Sequence, residues 1–317
     1  MIDFRYHLVS LAAVLIALSV GIVLGAGPLN DGIGQTLNSE VTELRQEKDD
    51  LRAELGDAER GAEGRDDFDQ ATLAQVVDGR LSGRSVALVV LPQAEDDVAT
   101  DIAETLEQSG ATVTEPVELD PSWVSADAAS SRAESGGSAL QEMGLDAREG
   151  TPAVDDALTA ILSGRADGSE VDEDARSRAW SRLTDADLVG GPSDLPSTSE
   201  LVVVVGAPVS AESAAEDPAA EASTAAESWV RLSRTLDEGT SGAVLAGSQR
   251  DVDSEEEVSV VTTARDSTLI SRGLSTVDVP EIPMGRADVV LALQEQLEGE
   301  SGHYGLGADA TASVPDL

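Results

Sequence analysis

The hydrophobic pattern begins with a long apolar segment near the N-terminus. Residues 8–30 contain no ionisable side chain, since His7 precedes them and Asp31 follows. A helix of about 20 apolar residues is long enough to cross a bilayer. We therefore predict a cytoplasmic stub and a transmembrane anchor within residues 1–30. A signal peptide is the alternative, although its apolar core usually spans only about 7 to 15 residues.

Charged residues on either side of the apolar segment predict its orientation. Arg5 and His7 precede the segment, whereas Asp31, Glu40 and a strongly acidic chain follow it. Positively charged flanks of membrane helices stay on the cytoplasmic side. We therefore predict a single-pass protein of the cell envelope, with its N-terminus in the cytoplasm and its C-terminal domain outside.

Small residues recur at every fourth position of the anchor, namely at Ala13, Ala17, Gly21 and Gly25. Gly21 and Gly25 form a GxxxG pair, a spacing that lets two membrane helices approach closely. The pattern predicts a helix face that pairs with a second copy of the chain. The alternative is an accidental spacing, because Gly and Ala are common in membrane helices.

A heptad pattern follows the anchor and predicts a stalk over residues 31–64. Apolar residues and one lysine form its seam, with Leu37, Leu44 and Leu51 at position d and Val41, Lys48 and Leu55 at position a. Val at a and Leu at d favour a parallel two-stranded coil, and a polar residue at a fixes its register. We predict a homodimer. The alternative is an amphipathic helix that lies against the downstream domain.

Glycines and charges interrupt the heptads from Gly56 onward, in the stretch GDAERGAEGRDD. Such residues are typical of a linker, so the stalk helix is expected to end there. Residues 65–84 are predicted to form a linker with a short helix around residues 71–77.

Strand and helix patterns alternate over residues 85–300. Buried strands are predicted at residues 85–92, 111–119, 201–205, 243–246 and 258–263, and helices at residues 95–110, 154–162, 175–183, 229–236 and 288–297. This alternation predicts an α/β fold whose largely parallel sheet is covered on both faces. The loop at residues 190–200 leaves a division into two subdomains open. Residues 301–317 are predicted to be a flexible, Gly-rich tail.

Composition excludes several classes of function. The net charge of −41 opposes binding to nucleic acid through a basic patch. No cysteine is present, which excludes disulfides and thiolate metal sites. The chain contains no GxSxG motif and, because Lys48 is its only lysine, no GxxxxGK motif. We therefore predict a protein that is not an enzyme and has no resident cofactor.

Three groups of residues remain as candidates for a site. His303, beside Tyr304, is the candidate metal ligand, with a packing role as the alternative. An acidic cluster could hold calcium loosely or form a solvated surface, and it comprises Asp251, Asp253, Glu255, Glu256 and Glu257. Trp123, Trp180 and Trp229 are interpreted as core residues rather than as a binding cage.

Both ends of the chain resemble those of a known family. The opening MIDFRYHLVSLAAVLIALSVGIVLGAGPL and the closing STVDVPEIPMGRADVVLALQEQLEGESGHYG are similar to those of the actinobacterial MctB family, described as copper transport proteins of the cell envelope. The resemblance implies a role in copper efflux and copper homeostasis. The family also includes SteB-like proteins, which implies an alternative role as an envelope scaffold. Such a scaffold would bind a partner in cell division or in the regulation of peptidoglycan hydrolases.

The residues themselves supply little copper chemistry. Cu(I) prefers thiolate, thioether and imidazole ligands, and the available ones are scattered along the chain at Met1, His7, Met143, Met284 and His303. The ligands therefore predict no copper cofactor, and copper as a transported ion is implied by the resemblance and not supported by these ligands. A single transmembrane helix cannot enclose a channel, so transport would require an oligomer or a partner protein.

Overall fold

The computed structural model describes residues 4–25, 29–166, 168–210, 217–248, 257–267 and 273–315. The chain divides into two compact units, one that ends at Arg65 and one that begins at Asp66. Most of the predicted acidic cluster, namely Asp251, Asp253, Glu255 and Glu256, lies outside the described residues.

Two long helices form the N-terminal part of the chain. Helix α1 spans Phe4–Gly25 and helix α2 spans Leu29–Val77. Contrary to the expectation from the sequence, α2 does not end at Gly56, and the predicted linker is reduced to the turn at residues 78–84. An interior glycine costs a helix about 1 kcal/mol, but burial of Leu73 and Val77 stabilises the last turns of α2.

The second unit is an α/β domain, as the sequence predicts. Its strands are β1 (Ser85–Val90), β2 (Thr112–Val113), β3 (Val117–Leu119), β4 (Arg165–Ala166), β5 (Ser169–Glu170), β6 (Val189–Gly191), β7 (Leu201–Gly206), β8 (Val209–Ser210), β9 (Ala243–Gly247), β10 (Glu257–Val258), β11 (Ser275–Val277) and β12 (His303–Tyr304). Its further helices are α3 (Asp96–Gln108), α4 (Ala129–Glu142), α5 (Ala153–Ser163), α6 (Glu173–Thr184), α7 (Pro218–Gly239), α8 (Val260–Asp266) and α9 (Pro283–Glu298). A short 3-10 helix covers Pro121–Trp123.

Within the described residues, the main sheet has eight strands in the order β12-β11-β9-β7-β1-β3-β6, with β2 also paired to β1. All of these pairings are parallel except that of β3 with β6. The chain runs from β1 outward to β3 and later returns to β7 on the other side of β1. This reversal is typical of doubly wound sheets, which bind ligands where the strand order reverses.

Both faces of the sheet are buried, which explains the continuous apolar strands. In β1, Val86, Leu88 and Val90 face one core layer, while Ala87 and Val89 face the other. The first layer contains α3, α9 and the end of α2, whereas the second contains α4 to α8. Trp123, Trp180 and Trp229 all lie in the second layer. Their predicted role as core residues is confirmed.

Two predictions for the C-terminal part are wrong. Residues 258–263 were expected to form a strand, but only Val258 belongs to a strand, the short β10, and α8 begins at Val260. Ser259 caps this helix by accepting a hydrogen bond from the Thr262 N–H, and the helix residues Val260, Val261 and Ala264 are buried. Burial on one helical face therefore overrides the strand preference of β-branched residues.

The C-terminal tail is the second case. It was expected to be flexible, but β12 extends the sheet by pairing in parallel with β11. A further bridge joins Tyr304 to Ala312. The alternative division into two subdomains at residues 190–200 is absent, because the described residues from Asp66 onward form one compact unit.

Candidate functional site

Helix α1 has the length and composition of a membrane span. The apolar stretch covers Phe4–Val23, and none of it is buried within the chain. Its polar Ser19 donates a hydrogen bond from Oγ to the Leu15 carbonyl oxygen of the same helix at 2.8 Å. This bond satisfies the hydroxyl donor without a partner from outside the helix.

The small residues of α1 leave open space around the helix axis. Ala13, Ala17, Gly21 and Gly25 are all exposed. A Cβ atom added at Gly21 or Gly25 would meet no other atom within 4 Å. This space would accommodate the backbone of a second helix. The pairing itself stays a prediction.

The predicted seam of the stalk lies on α2. Leu37 falls within α2, but its side chain lies outside the described part of the structure. The side chains of Leu44, Leu51 and Leu55 are 62%, 58% and 59% exposed, and Val41 is 37% exposed. Lys48 is exposed between them. The coiled coil therefore remains a prediction, and its seam is available to a partner.

His303 lies inside the α/β domain. It is the first residue of β12, it is only 8% exposed, and its Nδ1 lies 3.0 Å from Thr276 Oγ1 on the neighbouring strand β11. Arg265 Nε donates to the same Thr276 oxygen at 2.9 Å. The Thr276 hydroxyl therefore contacts both the Arg265 guanidinium and the His303 ring.

A largely buried ionic network is connected to this histidine through Thr276. The Arg265 guanidinium donates to Asp278 at 2.7 Å, to Asp309 at 2.8 Å and to the Tyr304 carbonyl oxygen at 2.7 Å. Asp278 also accepts hydrogen bonds from the backbone N–H groups of Leu306 and Gly307. The network therefore fixes the C-terminal segment against β11. Sequence reasoning missed it, because no local motif links Arg265 to carboxylates 13 and 44 residues away.

Asp288 is a second buried carboxyl group in this region, on α9. It is fully buried, and among the described residues neither of its oxygens has a hydrogen-bond partner. Burial, with a further contribution from the nearby Asp278 charge, raises the pKa of Asp288 to about 8. Asp288 therefore carries a proton at neutral pH.

A cleft of about 1270 Å³ opens beside α7 and α8. Six carboxylates and two arginines lie among its described lining residues, namely Glu149, Glu227, Glu238, Glu257, Asp266, Asp309, Arg231 and Arg234.

Arg231 also approaches the buried Asp155 carboxylate, with 3.7 Å between Nε and Oδ2. Trp123 Nε1 donates to the other oxygen of Asp155 at 3.0 Å.

Two contacts join the segments at the ends of β1 and β7, where the strand order reverses. Leu91 follows β1 and packs so closely on β7 that a Cβ atom added at Gly206 would lie 3.2 Å from Leu91 Cδ1. Gln93 Oε1 accepts a hydrogen bond from the Ser210 N–H at 3.3 Å.

Comparison with known proteins decides the family. A sequence profile for the family described as "Copper transport outer membrane protein, MctB" matches residues 1–315. The chain belongs to the MctB family. The resemblance at its two ends therefore extends over nearly the whole sequence.

Curated MctB-family proteins are similar over their full length. The Copper transporter MctB of Mycobacterium tuberculosis (strain ATCC 25618 / H37Rv) is 31% identical over 321 residues, which cover 98% of each chain. The Copper transporter MctB of Mycobacterium leprae (strain TN) is 28% identical over 330 residues, which cover 99% of this chain and all of the relative. These names support the copper interpretation and do not favour the scaffold alternative.

Two observations support membrane association of this MctB-family chain, namely the family description and the single candidate span found among the described residues.

Metal ligands are less well supplied. Among the described residues, no three His, Cys, Asp or Glu side chains form a group that could hold a metal ion. Met143 packs against the core, and Met284 lies in the first turn of α9. The structure does not test His303 as a metal ligand.

Proposed function

We propose that this protein takes part in copper transport across the cell envelope and thereby in copper homeostasis. The observation that carries the proposal is the full-length similarity to proteins named Copper transporter MctB, at 31% identity over 98% of both chains. The family description, which also names copper transport, supports it. Transport, rather than catalysis, is the role that these names describe, so we infer a protein that is not an enzyme.

The ligand chemistry argues for an indirect route of copper. Cu(I) favours thiolate, thioether and imidazole donors, and the chain has no cysteine. Its described imidazoles are His7 in α1 and His303 in β12, which belong to different units of the chain. We therefore infer that copper passes through an assembly of several copies or through a partner protein, and not through a preformed site in one domain.

The proposed orientation places the α/β domain outside the cytoplasm. Arg5 precedes the candidate span, and the chain that follows it is strongly acidic. Positive flanks stay on the cytoplasmic side of a membrane, which supports a cytoplasmic N-terminus. A reporter that is active only in the cytoplasm, fused to either end of the chain, tests this orientation. Activity at the C-terminal end would contradict it.

Cell-associated copper is the measurement that tests the function. A deletion strain is compared with strains that express the unaltered chain or the His303→Ala variant, at several external copper concentrations. We expect the deletion strain to accumulate copper and the unaltered chain to restore the normal level. Unchanged copper in the deletion strain would contradict the proposal.

The variants resolve the role of His303. If His303 only packs against Thr276, His303→Ala restores copper to the degree that the variant protein accumulates in the envelope. If His303 binds copper, His303→Ala fails at normal protein levels. His7→Ala is the matched control, since His7 is an exposed histidine outside the α/β domain.

A further inference from the structure

Helix α2 carries a mostly apolar stripe that the single chain leaves exposed. This stalk seam consists of Val41, Leu44, Lys48, Leu51 and Leu55, and its leucines are all more than half exposed. A groove of about 370 Å³ runs along it and is lined by Leu44, Glu47, Lys48, Leu51, Arg52 and Leu55. A row of exposed leucines at heptad spacing is typical of a helix that binds another helix.

Charged residues flank the seam in a regular order. With Val41, Lys48 and Leu55 at position a, every g position from residue 40 to residue 54 is a glutamate, namely Glu40, Glu47 and Glu54. Five residues after each glutamate comes an e position, and these positions hold Arg45, Arg52 and Glu59 in turn. Among the described residues of this stretch, Arg45, Glu47 and Arg52 are exposed, and the ion pair that forms within the stalk joins Arg60 to Asp57 instead.

We propose that a second copy of the same chain covers the stalk seam, in parallel and in register, and that ion pairs between the copies select this arrangement. In a parallel pair, position g of one helix lies beside position e of the next heptad in the other. Glu40 would then face Arg45 and Glu47 would face Arg52, on both sides of the dimer. Each pair joins opposite charges.

An antiparallel pair would bring like charges together, and a shifted parallel pair would separate the two lysines. In an antiparallel pair, g faces g and e faces e, so that the glutamates of the two copies would oppose one another. A shift by one heptad would place each Lys48 opposite Val41 or Leu55. In register, both lysines share one layer beside the Glu47 residues, and a polar residue at position a fixes register in this way.

The same pattern limits the length of the paired region. Glu54 and Glu59 would face each other as like charges in the next heptad, and Gly56 and Gly61 lie close by. Later in α2, the side chains of Leu73 and Val77 are buried in the α/β domain. The two ends of α2 therefore have different partners, a second copy for the seam and its own domain for the last turns.

Cysteine cross-linking tests the arrangement in the full-length protein, because the natural chain contains no cysteine. Leu44→Cys and Leu51→Cys are each expressed in membranes and oxidised with diamide, and Ala53→Cys on the outer face of α2 is the matched control. We expect disulfide-linked dimers for both seam variants and roughly tenfold less for Ala53→Cys. An antiparallel pair could bring only one of the two seam positions opposite itself. Dimers at only one seam position, at neither, or equally at residue 53 would overturn the proposal.

Charge reversal tests the ion pairs independently. The Leu51→Cys chain is given the two further changes Glu40→Arg and Glu47→Arg. Arginines then lie at both g and e and repel one another across a parallel pair, so we expect the yield of cross-linked dimer to fall severalfold. In an antiparallel pair the same change replaces one like-charge contact with another, and the yield would stay the same. This arginine-rich copy is then coexpressed with a differently tagged copy that carries Arg45→Glu and Arg52→Glu. Dimers that contain one copy of each kind should form about ten times more than dimers of two identical copies. Random mixing of the two copies would refute selection by these charges.

Discussion

The Arg265 guanidinium donates a 2.7 Å hydrogen bond to the Asp278 carboxylate, and the two side chains are 2% and 0% exposed. Arg265 belongs to α8, whereas Asp278 directly follows β11. Because Arg265 also bonds to Asp309 and to the Tyr304 carbonyl oxygen, one guanidinium joins three separate parts of the domain. The segment from Tyr304 to Asp309 is therefore held by hydrogen bonds and ion pairs to Arg265, and not by apolar packing alone.

Replacement of Asp278 by Ala is expected to destabilise the domain strongly. Removal of one partner leaves a buried charge without full compensation, which typically costs about 3 to 5 kcal/mol. We expect the lower end of this range, since Asp309 still pairs with Arg265. Denaturant unfolding followed by fluorescence of the three buried tryptophans measures the loss. Arg234→Gln is the control, because its ion pair with Glu238 is exposed and should be worth about 0.5 kcal/mol or less. Equal effects of the two variants would contradict the expectation.

Asp288→Asn is expected to make the domain more stable than the unaltered chain, and this difference should grow as the pH rises. The pKa of Asp288 is about 8 in the folded chain, compared with 3.8 for an ordinary aspartate. Between these two pH values the folded state keeps a proton that the unfolded chain releases. Stability from the neutral carboxyl group is therefore fully present below about pH 4 and is lost as the pH rises towards 8. The variant avoids this loss.

The free energy of unfolding of both proteins, measured from pH 5 to pH 9, checks this linkage. The difference in favour of Asp288→Asn should grow by at most about 1.4 kcal/mol per pH unit and should level off above pH 8. A difference that does not vary with pH would show that Asp288 does not titrate in this window.

Much of the domain follows from its apolar pattern. The runs at β1, β7 and β9 are apolar at nearly every position, because both faces of these strands are buried, and this made them and their parallel pairing predictable. Strand β11 was not predicted, since Ser275 and Thr276 interrupt its apolar character although both are fully buried. Helix α4 was missed for a similar reason, because its contact with α5 depends on Gly136 rather than on a row of leucines.

The candidate sites were less predictable than the fold. His303 could be singled out by residue type, but its burial beside Thr276 depends on a sheet pairing between segments 27 residues apart. Asp288 and Asp155 looked like two of the 61 acidic residues in the chain, and only tertiary packing distinguishes them from solvated ones. The stalk seam is the opposite case. Its heptad spacing is local, so the order of residues along the chain is enough to identify it.

Trp123 is expected to report the ionisation of Asp155. Burial raises the pKa of Asp155 to about 6, against the hydrogen bond from the Trp123 indole. The ¹H–¹⁵N resonance of the Trp123 indole should therefore titrate near pH 6, and Asp155→Asn should abolish the titration. Trp180 and Trp229 provide internal controls. A Trp123 resonance that titrates equally in the variant would assign the change to another group.

Two adjacent glycines of α4 are expected to respond oppositely to the same substitution. A Cβ atom at Gly136 would lie 2.4 Å from the Val154 backbone N and 2.8 Å from the Ala153 carbonyl carbon, whereas at Gly137 it would meet nothing within 4 Å. Gly136→Ala must push α4 away from the backbone of α5, and we expect a loss of about 1 to 3 kcal/mol. Gly137→Ala should instead stabilise the helix by up to about 1 kcal/mol, because Ala is the better helix former. Denaturant unfolding of both variants compares the two effects directly. A loss of similar size in both would contradict the expectation, because the close approach of α4 to α5 affects Gly136 and not Gly137.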